Sequence, residues 1–350
     1  MSHSTVPRGS AEAKRKTPSE QTPAASGGAT GPAGRTGKSP SGKLSFRVRF
    51  RRDRLLLLMT LPAVVLVLLF NYVPILGNVV AFQEYDPYIS DNGVVSILNS
   101  PFVGLENFHR IFEDSAFWNA VQNTLILFFL QLVLFFPIPI LLALLINSVV
   151  RPRIRAVSQA ILYLPHFFSW VLVVAVFQQL FGGAGIFSQL LRQHGYDGLD
   201  FMTDPNTFPL LITAQSVWKD AGWGIIVFLA ALASVSPDLY EAAAMDGAGR
   251  RRRMWHVTLP ALRPVIALLL VLRVGDALTV GFEQILLQRD MVGPGAAEVL
   301  DTFVWWNGVR NQDFSYAAAA GLIKGVVSLG LVLAANKVAH LMGEQGVYKK

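Results

Sequence analysis

The chain has 350 residues, of which 52% are hydrophobic and only 15% charged, and its mean hydropathy is +0.43. This composition excludes an ordinary soluble domain and predicts a protein of the lipid bilayer. Cysteine is absent, which excludes disulfides and cysteine-based metal or catalytic sites, and the six histidines include no pair spaced i,i+4. We therefore expect neither a metal site nor a bound cofactor in this chain.

The basic charge of the chain is concentrated at its start. Residues 1–54 carry 12 Lys and Arg against 3 Asp and Glu, whereas the rest carries 18 against 20. No basic patch interleaved with aromatic residues occurs elsewhere, so we predict no nucleic-acid partner. Residues 1–48 are rich in Ser, Gly and Pro and are predicted to be a disordered basic cytoplasmic tail. Residues 49–350 are predicted to form one transmembrane domain.

Six apolar runs in this domain are long enough to cross about 30 Å of hydrocarbon as helices. Prolines within them predict kinks rather than helix ends, because neighbouring helices can satisfy the freed backbone groups in lipid. The sequence therefore predicts an all-α integral membrane protein with six transmembrane helices. The runs are Leu55–Phe82, Trp118–Val150, Ala156–Phe181, Leu210–Val235, Val265–Leu287 and Tyr316–Leu341.

The distribution of basic residues predicts the orientation of these helices. With the N-terminus in the cytoplasm, 23 Lys and Arg fall on the cytoplasmic side and 4 on the outer side. Positive residues are enriched in cytoplasmic connections. We therefore predict a multi-pass membrane protein with both termini in the cytoplasm.

The polar connection between the fourth and fifth runs, residues 236–260, carries signals of local structure. Ser236-Pro237-Asp238 is typical of a helix start, with a capping hydroxyl, proline at the first helical position and an acid in the first turn. Gly247 predicts a left-handed helix end. A second short helix is expected to carry Arg250 to Arg253 as far as Pro260. Two short helices with an alanine face predict a compact knob that enters a partner closely.

The same connection contains the pattern E-A-A-x-x-D-G-A-x10-L-P, which resembles the signature loop of permease subunits of binding-protein-dependent ABC importers. The resemblance implies a location in the bacterial cell membrane, the type I ABC importer permease fold and a cytoplasmic coupling helix that inserts into a groove of a separate ATPase. The pattern residues are Glu241, Ala242, Ala243, Asp246, Gly247, Ala248, Leu259 and Pro260.

Other stretches resemble narrower branches of this family. Val103–Phe108 and Phe117–Thr124 are similar to carbohydrate permeases of the maltose type, whereas Phe82–Pro87 and Gly343–Tyr348 resemble the lipo-oligosaccharide, polygalacturonan and aldouronate subgroup. The resemblance implies a non-enzymatic subunit that forms half of a pore for a sugar or oligosaccharide. It also implies three kinds of protein partner: ATP-binding cassette ATPase subunits that bind the ATP, a second homologous permease subunit and an extracellular solute-binding protein.

Charged residues inside the apolar runs are costly when exposed to lipid, so each should face protein or water. Arg273 and Asp276 are spaced i,i+3, which predicts a structural ion pair. Two dipeptides, Trp218-Lys219 and Phe282-Glu283, combine an aromatic face with a polar group and are candidates for the translocation pathway. The alternative for them is a boundary or packing role.

Three further residues receive structural interpretations. The tryptophans Trp305 and Trp306 are predicted to form an interfacial belt. His166, which follows a proline, is predicted to be a buried and hydrogen-bonded histidine.

Two other functions compete with the ABC permease. An ion-coupled secondary transporter could use the intramembrane charges, but no inverted repeat is evident. A membrane-embedded enzyme would require a catalytic motif, and the sequence contains neither H-E-x-x-H nor G-x-S-x-G.

Overall fold

A computed structural model describes residues 46–197 and 200–341 of the protein. The predicted tail, as far as residue 45, and the Gly343–Tyr348 stretch lie outside the described residues. The chain divides into two units, Met1–Ala63 and Val64–Lys350. The first unit is described as a helix that begins at Phe46, and the site described below lies in the second unit.

The described residues are helical, and their only extended pairing is an isolated bridge between Gln83 and Phe102. Short 3-10 or π-helical turns connect several of the α-helices. The α-helices are α1 (Phe46–Val67), α2 (Val73–Gly77), α3 (Gly93–Asn99), α4 (Glu106–Glu113), α5 (Ser115–Leu130), α6 (Pro137–Ser148), α7 (Pro152–Tyr163), α8 (Trp170–Phe181), α9 (Ile186–Gln193), α10 (Phe208–Ala233), α11 (Pro237–Met245), α12 (Arg250–Arg253), α13 (Leu259–Gly275), α14 (Phe282–Leu286), α15 (Arg289–Val292), α16 (Pro294–Ala297), α17 (Leu300–Trp305) and α18 (Phe314–Leu341).

Six helical segments of the described residues are long and apolar enough to cross a membrane, as the sequence predicts. The first, second, fourth and sixth lie close to their predicted positions, whereas the third and fifth do not. We number them as spans 1 to 6: Arg54–Phe82, Ser115–Ser148, Trp170–Gln193, Phe208–Ala233, Arg250–Gly275 and Phe314–Leu341.

The predicted third run, Ala156–Phe181, is interrupted, and that prediction is wrong. α7 ends in a 3-10 turn over Leu164–Phe167, after which Phe168 and Ser169 are extended. Proline in this turn removes one helical hydrogen bond and favours an interruption. The Ser169 hydroxyl then accepts a hydrogen bond from the Leu172 amide at 3.3 Å and starts α8. Span 3 therefore begins at Trp170 instead of Ala156.

The predicted fifth run, Val265–Leu287, is displaced by about half its length, so this prediction is also wrong. The helix begins at Arg250 and ends at Gly275. After a turn, Gly281 adopts a left-handed conformation with φ of +55° and α14 begins. Ala277, Leu278 and Val280 lie buried in the protein core. An apolar run that packs inside a protein cannot be distinguished by composition from one that faces lipid.

The fourth span, α10, lies among the other spans of the second unit and contacts α5, α6, α7 and α13. Two glycines permit this close packing. A Cβ atom at Gly222 would lie 1.8 Å from the carbonyl oxygen of Leu162, and one at Gly224 would lie 2.9 Å from the Pro139 side chain. α10 and α7 thus meet backbone to backbone, and no larger residue fits at Gly222 without movement of α7.

The two stretches that resemble carbohydrate permeases anchor the connections at one end of the spans. In the first, the Asn107 amide donates hydrogen bonds to the carbonyls of Ala81 at 3.1 Å and Gln83 at 3.0 Å. In the second, Asn123 donates to the Glu298 carbonyl at 2.9 Å, and Thr124 accepts from the Leu300 amide at 3.0 Å. These polar residues satisfy buried backbone groups of distant segments.

Candidate functional site

The Ser236–Pro260 loop starts as its sequence predicts. The Ser236 hydroxyl accepts a hydrogen bond from the Asp238 amide at 3.3 Å, and Pro237 is the first residue of α11. The acid in the first turn complements the positive end of the helix dipole. The local sequence alone therefore determines where this helix begins.

The end of α11 also agrees with the prediction. Gly247 has φ of +75°. Its amide donates to the Ala244 carbonyl at 3.0 Å, and the Ala248 amide donates to the Ala243 carbonyl at 2.9 Å. These two hydrogen bonds form a Schellman motif, which satisfies the last carbonyls of the helix and reverses the chain. A left-handed residue is required here, and glycine adopts this conformation at little cost.

The predicted second short helix does not exist as a separate element. α12 continues through a π-helical turn, Met254–Thr258, directly into α13. Leu259 and Pro260 are the first residues of α13, and the Leu259 amide bonds to the Met254 carbonyl. Proline lacks an amide proton, and the wider π-helical turn accommodates that missing bond without a helix end. The loop is therefore one short helix, a glycine turn and the start of span 5.

Half of the eight signature residues are exposed to solvent. Glu241, Ala242, Asp246 and Gly247 are exposed. The remaining signature residues are half-buried: Ala243, Ala248, Leu259 and Pro260. Small exposed side chains allow the close approach of a partner.

Two residues of this loop that the sequence analysis missed contribute to its surface and attachment. Met245, at the tip of α11, is 89% exposed. A large apolar side chain at an exposed tip is typical of a contact surface. Tyr240 anchors α11, because its hydroxyl lies 3.3 Å from the Thr258 hydroxyl at the start of span 5. The sequence did carry a signal for Met245, because it is a large apolar residue within a polar loop.

A second group of polar side chains lies between α10 and the interruption before span 3. Lys219 is buried, and its ammonium donates to the His166 carbonyl at 2.9 Å and to Asp220 Oδ1 at 3.4 Å. The His166 ring bonds the same Asp220 oxygen at 2.9 Å and stacks on Trp223 with centroids 4.5 Å apart. We call His166, Lys219 and Asp220 the polar cluster. His166 is hydrogen-bonded as predicted, but half-buried instead of buried.

The two candidate pathway dipeptides are placed differently. Trp218 is 40% exposed and contacts the rings of Phe168 and Phe177. Phe282 is half-buried and Glu283 exposed at the start of α14. Among the described contacts, no hydrogen bond or ring contact joins the two dipeptides.

The sequence analysis missed three glutamines that connect α10 to the α14 region. Gln215, Gln284 and Gln288 are fully buried. Gln284 donates to Gln215 Oε1 at 2.7 Å, and the Gln215 and Gln288 side chains bond each other at 3.0 Å. We call these residues the glutamine cluster. The i,i+4 spacing of Gln284 and Gln288 would place both on one face of a continuous helix, but Gln288 lies in the turn after α14, and nothing local identifies Gln215 as their partner.

The predicted ion pair between Arg273 and Asp276 is wrong. Arg273 donates to Gln131 Oε1 in span 2 instead, and Asp276 is exposed. No salt bridge joins the two within the described part of the chain. Asp276 is the C-cap of α13 with ψ of 16°. The i,i+3 geometry of a helix does not extend to a residue that has left the helix.

Other buried and half-buried charges do form ion pairs. Lys324 pairs with Asp301, and Arg289 pairs with Glu298 at 2.5 Å. The Arg289 guanidinium also lies 3.7 Å from the centre of the Trp306 ring. Trp306 therefore contacts a cation, which an interfacial belt does not require. Whether Trp305 and Trp306 form such a belt stays a prediction.

These features define a class of protein: a multi-pass helical membrane protein with a solvent-exposed helical knob, α11 and its glycine turn, between spans 4 and 5. The chain belongs to the family described as the binding-protein-dependent transport system inner membrane component, whose match covers residues 135–342. The matched region includes the whole Ser236–Pro260 loop. The resemblance inferred from the signature pattern is confirmed.

Relatives of known name cover nearly the whole membrane domain. The polygalacturonan/rhamnogalacturonan transport system permease protein YteP of Bacillus subtilis (strain 168) is 43% identical over 86% of this chain and 92% of that protein. Protein LplB of the same organism is 39% identical over 87% and 94%. These relatives are similar to this chain over most of its length.

The fold also agrees with a solved importer. A chain in the crystal structure of a bacterial ABC transporter involved in the import of the acidic polysaccharide alginate is 37% identical, with a TM-score of 0.77. The alignment covers 84% of this chain and 98% of that one. A second structure of a bacterial alginate ABC transporter, in complex with an alginate pentasaccharide-bound periplasmic protein, gives a TM-score of 0.78 at 36% identity, over 86% of this chain and 99% of that chain. The predicted all-α fold of an ABC importer permease is confirmed.

Proposed function

We propose that this chain is the permease subunit of an ATP-driven importer of oligosaccharides and forms half of the translocation pathway. The observation that carries the proposal is the exposed α11 knob, which lies within the matched family region and ends in the Schellman turn at Gly247. One relative is named as a polygalacturonan/rhamnogalacturonan transport permease, and one similar solved structure is of an importer of the acidic polysaccharide alginate. Acidic oligosaccharides are therefore the substrates to test first.

In this proposal α11 is the coupling helix and enters a groove of a separate ATPase, which binds the ATP. Ala242 and Met245 offer a small and an apolar side chain on its exposed surface. The Tyr240–Thr258 contact joins α11 to the start of span 5. A displacement of α11 by the ATPase would therefore reach span 5 through this contact and through the short Asp246–Gly249 connection.

Three of the four candidate pathway residues have side chains that are at least partly accessible: Trp218, Phe282 and Glu283. Aromatic faces and carboxylates are the groups that bind the faces and hydroxyls of sugars. Lys219 is the exception, because its ammonium is buried in the polar cluster. We assign Lys219 the role of holding the interruption before span 3 against α10, next to the pathway.

Further parts of the proposal are the partners and the orientation. A second permease subunit completes the pore, and an extracellular solute-binding protein delivers the sugar. Both termini and the α11 knob face the cytoplasm.

The orientation has a direct test, since the parent chain has no cysteine. Gly249 is exposed, and a cysteine at this position should react with an impermeant reagent only after the cells are opened. Labelling of intact cells from outside would show that the proposed orientation is wrong.

The coupling role is tested by Gly247→Pro. Proline fixes φ near −65°, which is incompatible with the φ of +75° at this position. We expect the variant to insert into the membrane, because the six spans are untouched, but to lose assembly with the ATPase and uptake of oligosaccharide. The measurements are co-purification of the ATPase, its hydrolysis rate with sugar-loaded receptor, and uptake.

The matched control is Gly249→Ala two residues away. Gly249 has φ of −67°, and a Cβ there meets no atom within 4 Å. The control should assemble and transport like the parent. A Gly247→Pro variant that transports at the parental rate would show that α11 is not the coupling element.

A further inference from the structure

Four consecutive arginines, Arg250 to Arg253, form the first turn of span 5. The first three are exposed and Arg253 is half-buried. Cations at the start of a helix oppose the positive end of its dipole, and neighbouring cations also repel one another. This arrangement is electrostatically unfavourable unless an anion lies nearby.

The described part of the chain does not supply that anion. None of the four guanidinium groups there forms a salt bridge or donates a side-chain hydrogen bond, whereas Arg110 and Arg289 each bind a carboxylate. Asp246, the nearest preceding acid in the sequence, is exposed at the end of α11. The positive charge of these arginines therefore remains available to another molecule.

A cavity of about 340 Å³ lies at these arginines. Its lining combines cationic, hydrogen-bonding and apolar groups, which suits an amphipathic anion rather than a simple ion. Six residues that line it are Arg250, Arg251, Arg253, Asn147, Tyr240 and Leu144.

The cavity lies where two spans end. Span 2 ends at Ser148 and span 5 begins at Arg250, so the arginines are at the depth at which a helix leaves the hydrocarbon. Lipid phosphates occupy that depth, and guanidinium groups bind phosphate through paired hydrogen bonds. Basic residues next to a span attract anionic lipids. A carboxylate-rich protein partner would not use the apolar wall that Leu144 provides.

We propose that this cavity binds the phosphate headgroup of an anionic membrane lipid, with Arg250, Arg251 and Arg253 as its ligands. Tyr240 lies on α11 and also lines the cavity. A bound lipid thus contacts the element that attaches the α11 knob to span 5, and the anionic lipid content of the membrane would set the stability of that attachment. The proposal does not depend on transport, so its failure and the failure of the proposed function are distinguishable.

The test is direct binding to the purified full chain in a non-ionic detergent. The probes are dioctanoyl phosphatidylglycerol, dioctanoyl phosphatidylcholine and inorganic phosphate, and the dissociation constants come from native mass spectrometry. We expect phosphatidylglycerol to bind at least about tenfold more tightly than either other probe. The Arg250→Gln/Arg251→Gln variant should lose at least about tenfold in affinity for phosphatidylglycerol.

The matched control, Arg153→Gln/Arg155→Gln, removes two arginines of α7, which lies between spans 2 and 3. Neither arginine lines the cavity. It should keep the parental affinity. Equal losses in the two variants, equal binding of the two lipids, or phosphate binding as tight as phosphatidylglycerol would each overturn the proposal.

If the glutamine variant does not elute as a folded species, binding is measured on the Arg250→Lys/Arg251→Lys variant instead. Lysine keeps the charge but not the planar fork of arginine. We expect weaker phosphatidylglycerol binding with unchanged phosphatidylcholine binding, and parental affinity for phosphatidylglycerol would count against the site.

Discussion

The α11 knob and the polar groups around α10 are both polar features of a membrane protein, but they are built in different ways. The knob is made of residues adjacent in sequence, and its hydrogen bonds join positions at most five apart, apart from the Tyr240 anchor. Around α10 the partners lie far apart in sequence: Lys219 bonds the His166 carbonyl, and Gln215 bonds Gln284 and Gln288.

The two regions should also differ in how strongly substitutions change the stability of the fold. In the proposed complex, exposed groups of the knob exchange water for the ATPase, so substitutions there should affect assembly more than folding. Buried amides and ammonium groups have no water to replace a lost partner, so substitutions there should affect folding. The predictions below test this contrast, from the largest expected effect on stability to the smallest.

The largest effect is expected at Gly222, where α10 meets the Leu162 carbonyl. Gly222→Ala places a Cβ 1.8 Å from that oxygen. A backbone atom cannot rotate away, so we expect a loss at or above the upper end of the usual ~1–3 kcal/mol for overpacking. The measurement is the melting temperature of the isolated chain in detergent. Gly325→Ala in span 6 is the control, because a Cβ there meets nothing within 4 Å; equal melting temperatures for the two would contradict the close approach.

The glutamine cluster should come next. Gln215→Leu removes one member: the Gln288 side-chain oxygen loses its donor, and the Gln284 and Gln288 amide nitrogens each lose one of two acceptors. An unsatisfied buried group of this kind costs roughly 1–3 kcal/mol. Replacing all three glutamines with leucine removes the unsatisfied groups along with the hydrogen bonds. We therefore expect the triple variant to melt no lower than the single one. A triple variant that loses three times as much would mean that the bonds contribute independently.

The Arg273 environment gives a smaller contrast. Gln131→Leu removes the acceptor of a half-buried guanidinium, which water can partly replace, and should cost about 0.5–1.5 kcal/mol. Asp276→Ala removes an exposed carboxylate and should change stability by less than about 0.5 kcal/mol. Thermal unfolding of both variants ranks the two partners. The opposite ranking would restore Asp276 as the counter-charge of Arg273.

The smallest effect on stability is expected at the knob. Met245→Ser changes a side chain that is 89% exposed, so the melting temperature of the isolated chain should stay within the range of a surface change, about 0.5 kcal/mol. Co-purification of the ATPase should nevertheless decrease, because the serine removes an apolar contact from the proposed interface. Unchanged assembly would show that the tip of α11 does not face the partner.

The sequence by itself determined the features that depend on neighbouring residues or on composition. Apolar length located four of the six spans, because crossing a bilayer requires a minimum number of residues. The capping serine, the first-turn proline and Gly247 determined both ends of α11, because these signals act within one helical turn. The signature pattern identified the family, because its residues lie within one continuous loop and can be read directly from the sequence.

Tertiary structure alone decided the rest. Pro165 and Ser169 favour the interruption before span 3 locally, but only the tertiary structure shows that Lys219 and Asp220 bind His166 there. The apolar residues after Gly275 are buried in protein instead of lipid. The partner of Arg273 is a glutamine 142 positions away. Hydrophobicity and helical spacing report how a residue relates to its neighbours in the chain, whereas the choice of a distant partner depends on which helices pack together.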